Sequence, residues 1–507
     1  MIDHKKKRNL VIILLFLLGL GLRLLLLFHT NYTADDSFIT FRYAENISSG
    51  LGFVYNAGER VLGTTTPLYT LLLSALLKTG LDVVTLGKAI NILADCLAGV
   101  FVFLLLVNFG FGFAFLASLF YLFFPRVMVW SVSGMETGLY VFVISLSFYF
   151  YNRKNFNLVP FFLALVWLTR FDGLILIAAL FLDYLLNYRR VPLRMIGFVF
   201  LLILPWVIFA AAYFGSPIPN SIWAKKALYQ GVLQTPQEII IWEFMVLKNV
   251  IGWIMLAFCF LGTYRILKTQ KELRFIVLWT VFYLCFYLIS GTRMHIWYYV
   301  PFYLGYMILA AQGLFFVHEH LGWLRGELAQ GKKLPLSLKE IRVALLILLV
   351  VSFSFVYWRQ MERTAGLVKG EQMVLEQIHK KIGLWLKENS DPGDTVCAED
   401  IGYMGYFSRR YILDQDGLVS PQAVPFNQQK DRLGLIRTYL PRYVVIGFYG
   451  PYYRKVIHSG WFKKNYKFLA RFSILGVSSD EFTKDSSEPD LDEVPEFAIY
   501  KRFEDFG

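Results

Sequence analysis

Apolar stretches long enough to cross a bilayer recur along the chain up to residue 357, and they leave little choice of fold class. They fall at Leu10 to Phe28, Leu86 to Val107, Phe111 to Phe124, Gly138 to Tyr151, Phe156 to Leu168, Leu174 to Leu186, Met195 to Phe214, Val250 to Tyr264, Phe275 to Ile289, Tyr298 to Val317 and Val343 to Tyr357. Backbone polar groups inside hydrocarbon must be satisfied within the segment, so these windows predict about eleven transmembrane helices. With 56% of its 507 residues hydrophobic and 17% charged, the chain is too apolar for a soluble protein. After Tyr357 it turns polar. The sequence thus reads as a polytopic α-helical membrane domain over 1–357, with its first outer loop at 29–85, followed by a soluble α/β domain over 358–507.

A net charge of +13 would suggest a nucleic-acid partner in a soluble chain. Here the basic residues sit in short clusters between apolar runs, a pattern that points to topology and anionic lipid headgroups and not to nucleic acid. With the N-terminus inside, Arg153 and Lys154, then Arg189, Arg190 and Arg194, then Arg265, Lys268, Lys271 and Arg274, then Arg325, Lys332, Lys333, Lys339 and Arg342 all fall in cytoplasmic loops. Lys5, Lys6, Lys7 and Arg8 precede a first window of spanning length that no small-residue cleavage pattern follows, as expected of a retained signal anchor. These features predict a multi-pass protein of a bacterial-type plasma membrane, its N-terminus cytoplasmic and its C-terminal domain extracytoplasmic. Pro67 to Leu77 is apolar but too short to span, which predicts an interfacial or re-entrant helix on the outer side. Arg23, within the first window, needs a partner such as Asp95. Cys96, Cys259, Cys285 and Cys397 show neither a disulfide framework nor metal spacing.

The outer segments hold the remaining polar residues, and the first is the most informative. In Asp35-Asp36-Ser37-Phe38-Ile39-Thr40-Phe41-Arg42, Phe38 and Phe41 share one helical face with Ile47 beyond, two carboxylates occupy the start, and Gly50 offers a stop. Two readings stand side by side. The aspartates cap a helix, which Asp does well, or one of them, held in a partly dry pocket with a raised pKa, acts as a general base while the other orients a loop or substrate. Gly52 to Val61 reads as a hairpin-like stretch turning at Asn56 to Gly58.

The run DDSFITFRYAENISSGLGFVYNAGERVLGTTTPLYTLLL resembles the first outer loop of GT-C membrane glycosyltransferases, and is similar to bacterial members of the mycobacterial cell-wall arabinofuranosyltransferase type. Ser133-Gly134-Met135-Glu136-Thr137, Arg170-Phe171-Asp172-Gly173, Pro219 to Lys225, Arg293-Met294-His295, Ala398 to Gly402 and Asp414 to Leu418 extend the likeness in order. Asp172 stands where an Arg-Pro-Glu type sequence would place a glutamate. The resemblance implies transfer of a sugar from a polyprenyl-phosphate donor to a hydroxyl of a cell-envelope glycan, lipid or protein on the outer face, with inversion at the anomeric carbon. It places Asp35 or Asp36 as the base. Arg293, His295, Lys225 and Lys226 are then the candidate cations for the leaving phosphate; Arg42, Glu136, Arg170 and Asn220 are further substrate-binding candidates. A Glu136–Arg170 salt bridge is an equal reading of that pair. A divalent cation on the paired carboxylates stays open, with no metal ligands assigned. His318-Glu319-His320 lacks the spacing of a zinc protease motif.

In the tail, a helix from about Gly370 to Asn389 and strands at Thr395 to Ala398, Tyr411 to Leu413, Tyr443 to Ile446 and Phe497 to Tyr500 predict a small mixed α/β domain. Phe448, Tyr449, Tyr452 and Tyr453 read as core aromatics or as a stacking surface for a glycan. Competing functions are a transporter or flippase of lipid-linked saccharides, and a catalytically silent glycan-binding scaffold.

Overall fold

A computed structural model of the chain describes residues 2–229, 250–290, 295–328, 357–448, 452–478 and 496–503. In order, the helices begin with α1 (Ile2–Thr30), α2 (Asp35–Ser48), α3 (Pro67–Leu76), α4 (Val83–Leu106), α5 (Phe111–Leu122), α6 (Pro125–Val132), α7 (Thr137–Asn152), α8 (Val159–Thr169), α9 (Leu174–Tyr188), α10 (Leu193–Phe214) and α11 (Asn220–Leu228). Helices at Val250–Thr269, Arg274–Ser290 and Tyr299–Leu328 come next. The residues gather into two compact units. One comprises Met1–Asn31, Lys88–Ile203 and Leu233–Leu367; the other comprises Tyr32–Gly87, Leu204–Val232 and Val368–Gly507.

Among the described residues, six helices are long and apolar enough to cross a membrane, or seven if the α5–α6 pair, bent by 57°, is one span. The protein is a multi-pass membrane protein. Three other expected windows are helical. Of these, α7 has 16 residues and α8 has 11, roughly 24 and 16 Å against about 30 Å of hydrocarbon, while Val250–Thr269 has 20 residues. All of the Val343 to Tyr357 window except Tyr357 lies outside the described residues, as do Lys332, Lys333, Lys339 and Arg342. Pro67 to Leu77 is helical, with Leu77–Thr79 as a closing 3₁₀ turn.

The first unit contains the expected Arg23–Asp95 pair, fully buried between α1 and α4. Arg23 Nε donates to Asp95 Oδ2 at 2.7 Å, and its Nη1 reaches the carbonyls of Gly19 at 3.0 Å and Leu122 at 3.3 Å. The Tyr121 hydroxyl donates to the other Asp95 oxygen. Leu122 ends α5 just before the Pro125 bend, so the guanidinium satisfies a carbonyl freed by the break in the helix.

The second unit is built on a six-stranded sheet of β1 (Thr395–Ala398), β2 (Tyr411–Asp414), β3 (Tyr443–Gly447), β4 (Tyr466–Ser473), β5 (Gly476–Ser478) and β6 (Phe497–Arg502), in the order β2-β1-β3-β6-β4-β5. β1 runs parallel to both β2 and β3, and the other pairs are antiparallel. The four expected strands are present; β4 and β5 are additional. Phe448 and Tyr453 pack edge to face at 5.5 Å within the core that also holds Leu413, Val444 and Tyr500, so these two aromatics serve packing. Tyr449 lies outside the described residues.

Gly52 to Val61 departs from the expected hairpin. The turn exists, with Glu59 N–H donating to the Asn56 carbonyl at 3.1 Å, but no strands flank it. Side chains replace the ladder: Asn46 Nδ2 donates to the carbonyls of Val54 and Tyr55 at 2.8 and 3.0 Å. The Asn56 amide donates to the Ile412 carbonyl at 2.9 Å and accepts from its N–H at 3.0 Å, pairing with the edge of β2 as a strand would.

Candidate active site

In α2 the N-cap position is Ala34, with no side-chain cap bond, so the capping reading of the two aspartates does not hold. The Asp35 carboxylate instead accepts two backbone N–H groups from the helix Ile401–Ser408 that comes after β1: Gly402 to Oδ2 at 3.0 Å and Tyr403 to Oδ1 at 2.8 Å. His379 Nδ1 stands 3.9 Å from Asp35 Oδ1, and its Nε2 stands 3.9 Å from Asp400 Oδ2. Gly402 makes this approach possible, because a β-carbon there would enter the Asp35 backbone oxygen and carboxylate. Further along α2, Phe38 packs on Tyr403 and Tyr406 with ring centroids 4.2 and 4.9 Å apart.

Asp36 is placed differently. Burial pushes its carboxyl above the ordinary carboxylate range, the Lys225 ammonium pulls the other way, and the neighbouring Asp35 adds to the rise. Nearby, the Tyr32 hydroxyl donates to Glu371 Oε1 at 2.9 Å, and burial raises the Glu371 carboxyl, with Asp35 and Asp36 adding to the rise. The arrangement separates two roles available to adjacent carboxylates: Asp35 anchors, while Asp36 is held as a weaker acid beside a lysine.

The remaining candidates of this unit divide likewise. Arg42 is buried; it donates to the carbonyls of Gly405 at 2.8 Å and Arg410 at 2.7 Å, and its guanidinium lies 4.2 Å over the Tyr55 ring. Asn220 donates to the carbonyls of Gly417 at 2.6 Å and Leu418 at 3.1 Å, tying α11 to the turn after β2. Lys225 and Lys226 close α11; Lys225 is half-buried, and the exposed Lys226 lies 6.0 Å over the Trp223 ring.

Glu136, Arg170 and His295 belong to the first unit. The expected Glu136–Arg170 contact is present at 3.3 Å. Asp172 takes Arg170 with both oxygens at 3.2 Å and accepts the hydroxyls of Tyr283 at 3.2 Å and Tyr287 at 2.8 Å. Arg170 also lies 4.6 Å over the Tyr298 ring. The shorter aspartate therefore keeps a two-oxygen grip on the guanidinium two residues away. His295 stacks on Trp297 at 4.6 Å. Arg293 lies outside the described residues. Among the described residues no group of three or more His, Cys, Asp or Glu side chains is arranged to hold a metal ion.

Glu371, His379 and Gly402 are the site residues that the sequence did not single out. Gly402 falls within the Ala398 to Gly402 motif, but nothing local marks His379 or Glu371 as neighbours of Asp35.

Residues 365–492 match a family described as a domain of unknown function (DUF8728). No curated protein matches the chain. Among solved structures, apo ArnT from Cupriavidus metallidurans is similar with a TM-score of 0.59 at 12% identity, over 96% of this chain and 97% of that one. The fold is the GT-C fold. ArnT bound to undecaprenyl phosphate gives a TM-score of 0.57 at 14% identity, over 81% of this chain and 88% of that one. The oligosaccharyltransferase AglB from Archaeoglobus fulgidus, in complex with an inhibitory peptide and a dolichol-phosphate, gives 0.57 at 14% identity, over 96% of this chain and 75% of that one. In this chain the aspartate pair opens α2, in the segment between α1 and α4.

Proposed function

We propose that the protein is an integral membrane glycosyltransferase that moves a sugar from a polyprenyl-phosphate donor to a hydroxyl of an envelope glycan, lipid or protein at the outer membrane face, with inversion and with Asp36 as general base. The observation that carries the reading is the division between Asp35, whose carboxylate is occupied by two amides, and Asp36, raised by burial beside Lys225. The GT-C fold shared with a protein that binds undecaprenyl phosphate supports the donor class.

In this reaction Asp36 takes the acceptor hydroxyl proton as the oxygen forms its bond to the anomeric carbon. The bond from that carbon to the phosphate oxygen breaks, and polyprenyl phosphate leaves with the electron pair. A carboxylate with a raised pKa is the better proton acceptor for a hydroxyl. The Lys225 ammonium supplies positive charge for the leaving phosphate, where charge grows in the transition state. The basic loops of the membrane domain support an orientation with the N-terminus in the cytoplasm and the C-terminal domain outside.

The test uses purified protein in detergent, where nothing can be translocated, with a panel of synthetic polyprenyl-phosphate pentoses and hexoses. Asp36→Asn is expected to lower transfer by at least about a hundredfold, the lower range for loss of a general base, while donor binding persists. Wild-type turnover by folded Asp36→Asn protein would refute the assignment.

A further inference from the structure

We infer that His379 is a positioning residue for the carboxylate pair: its charge holds Asp35 in the amide cradle at the head of Ile401–Ser408, and that tie fixes the direction in which Asp36 faces. The inference rests on the reading of Asp36 as the base. It adds a role for the C-terminal domain, which would otherwise be an appended fold.

The parallel part of the sheet places β1 between β2 and β3, so the chain leaves β1 in one direction and returns on its other side. In α/β sheets the crevice at the carboxyl ends of such strands takes anionic ligands, with the next helix N-terminus as the receptor. Here that position is filled from within the chain. The anion is Asp35, whose two oxygens use the first N–H groups of the helix after β1.

A carboxylate brought among other carboxylates needs a compensating cation. Asp400 lies just past β1 and Glu371 lies on the helix that carries His379; both face this region together with Asp35. His379 meets the Phe497 ring of β6 edge to face at 4.9 Å, and the Leu375–His379 turn also packs against β4. The imidazole is 8% exposed and stands 3.9 Å from both Asp35 and Asp400. Only its protonated form offers an N–H and a positive charge to both carboxylates at once. The backbone is built for this placement. Residues 357–389 form a continuous helix, but Leu375–His379 is a π-helical turn ending on the histidine. Such turns recur at functional sites, and the extra residue rotates the rest of the helix by about 100°.

The sign of the pH dependence is set by these neighbours. The facing carboxylates raise the imidazole pKa against the opposing effect of burial. A group raised on docking contributes fully below its free value of about 6.5 and loses its contribution as pH rises through the docked value.

Hydrogen exchange of the whole protein in detergent, between about pH 6 and about pH 9, reads this directly at the Gly402 and Tyr403 amides once intrinsic rates are divided out. Wild-type protection is expected to fall about tenfold across that range. In His379→Gln it should be low and flat, while β1 and β3 amides stay protected. His379→Lys, which keeps the charge, should restore protection and move its loss to higher pH. Asp35→Asn, which keeps one acceptor oxygen and removes the anion, should also be flat. In transfer, His379→Gln should lose the alkaline limb of kcat with donor KM unchanged. Wild-type protection and pH slope in His379→Gln would overturn the inference, and so would loss of β1 and β3 protection in both neutral variants, which would mark a purely structural residue. The exchange result is independent of transfer: full activity of Asp36→Asn removes the base assignment and leaves the cradle measurement standing.

Discussion

Gly402→Ala tests the junction between α2 and the C-terminal domain with one methyl group. A β-carbon at this position enters the Asp35 backbone oxygen and carboxylate. A carboxylate could rotate aside, but a backbone oxygen moves only with its helix, so α2 and Ile401–Ser408 must separate. Separation lengthens both bonds to Asp35, now 3.0 and 2.8 Å. Hydrogen bonds to a charged acceptor contribute about 1.5–3 kcal/mol each, so about 3 kcal/mol is the smaller total for two. At 1.4 kcal/mol per tenfold this shifts the docked-to-undocked ratio by about 150-fold. Because some of that shift is absorbed before undocking dominates, the expected loss in transfer is at least about tenfold, accompanied by faster exchange at the Tyr403 amide. Gly393→Ala is the control, since a β-carbon there meets nothing within 4 Å; it should keep wild-type transfer. The reasoning fails if Gly402→Ala transfers within about twofold of wild type with its Tyr403 amide exchanging as before.

Other consequences are open to similar tests. Since burial raises the Asp36 carboxyl and a base must be ionised, kcat/KM should fall on the acid side with a midpoint above the free-aspartate value of about 3.9; an acid limb at or below that value argues against Asp36 as the group titrated. Arg42→Ala leaves the Arg410 carbonyl without its donor and removes the shortest of three bonds to the Gly405 carbonyl, a cost of about 1–3 kcal/mol for the one emptied acceptor, and Arg42→Lys should not restore it because a single ammonium cannot reproduce the fork. Thermal unfolding measures both, and a wild-type midpoint for either would show that the contacts are dispensable. In the first unit, Asp172→Ala leaves the buried Arg170 with Glu136 as its remaining carboxylate and should destabilise by up to about 3–5 kcal/mol, again by thermal unfolding, whereas unchanged melting would mean that Glu136 alone suffices.

The membrane fold was legible because hydrocarbon imposes one rule along the whole segment, and apolar windows report it without knowledge of neighbours. Window length was the weaker guide. α8 is helical over only 11 residues, and the α5–α6 span is broken by Pro125, a signal that hydropathy averages away. In the tail, β4 alternates at Tyr466, Phe468, Ala470 and Phe472, but a bulge between Phe468 and Ala470 blurs its burial pattern. Loop geometry was read less well. Gly52 to Val61 carries strand-like residues, yet its Val54 and Tyr55 carbonyls are taken by the Asn46 side chain, while the Asn56 side chain pairs with the backbone of Ile412, 356 residues away in sequence. The aspartate pair was visible as an oddity. What distinguishes its members is a set of partners distant in sequence: those of Asp35 lie more than 340 residues away, and the cation acting on Asp36 is Lys225.

In the proposed mechanism, that separation explains why two adjacent carboxylates are needed. Neighbouring residues on a helix point about 100° apart, so a carboxylate bound to Gly402 and Tyr403 cannot also face Lys225. A single aspartate at position 36 would remain on an unanchored helix start, because Ala34 provides no cap. A single aspartate at position 35 would be anchored and chemically spent, both oxygens already accepting N–H groups. The asparagine replacements are therefore unequal. At position 35 an amide oxygen can still receive one of the two N–H donors, so docking should weaken and activity fall in proportion; at position 36, with Asp36 as the proposed base, no group would remain to accept the proton, and docking should be untouched. Equal losses in both variants would contradict this division of labour, because equivalence is what two interchangeable carboxylates, and not an anchor and a base, would produce.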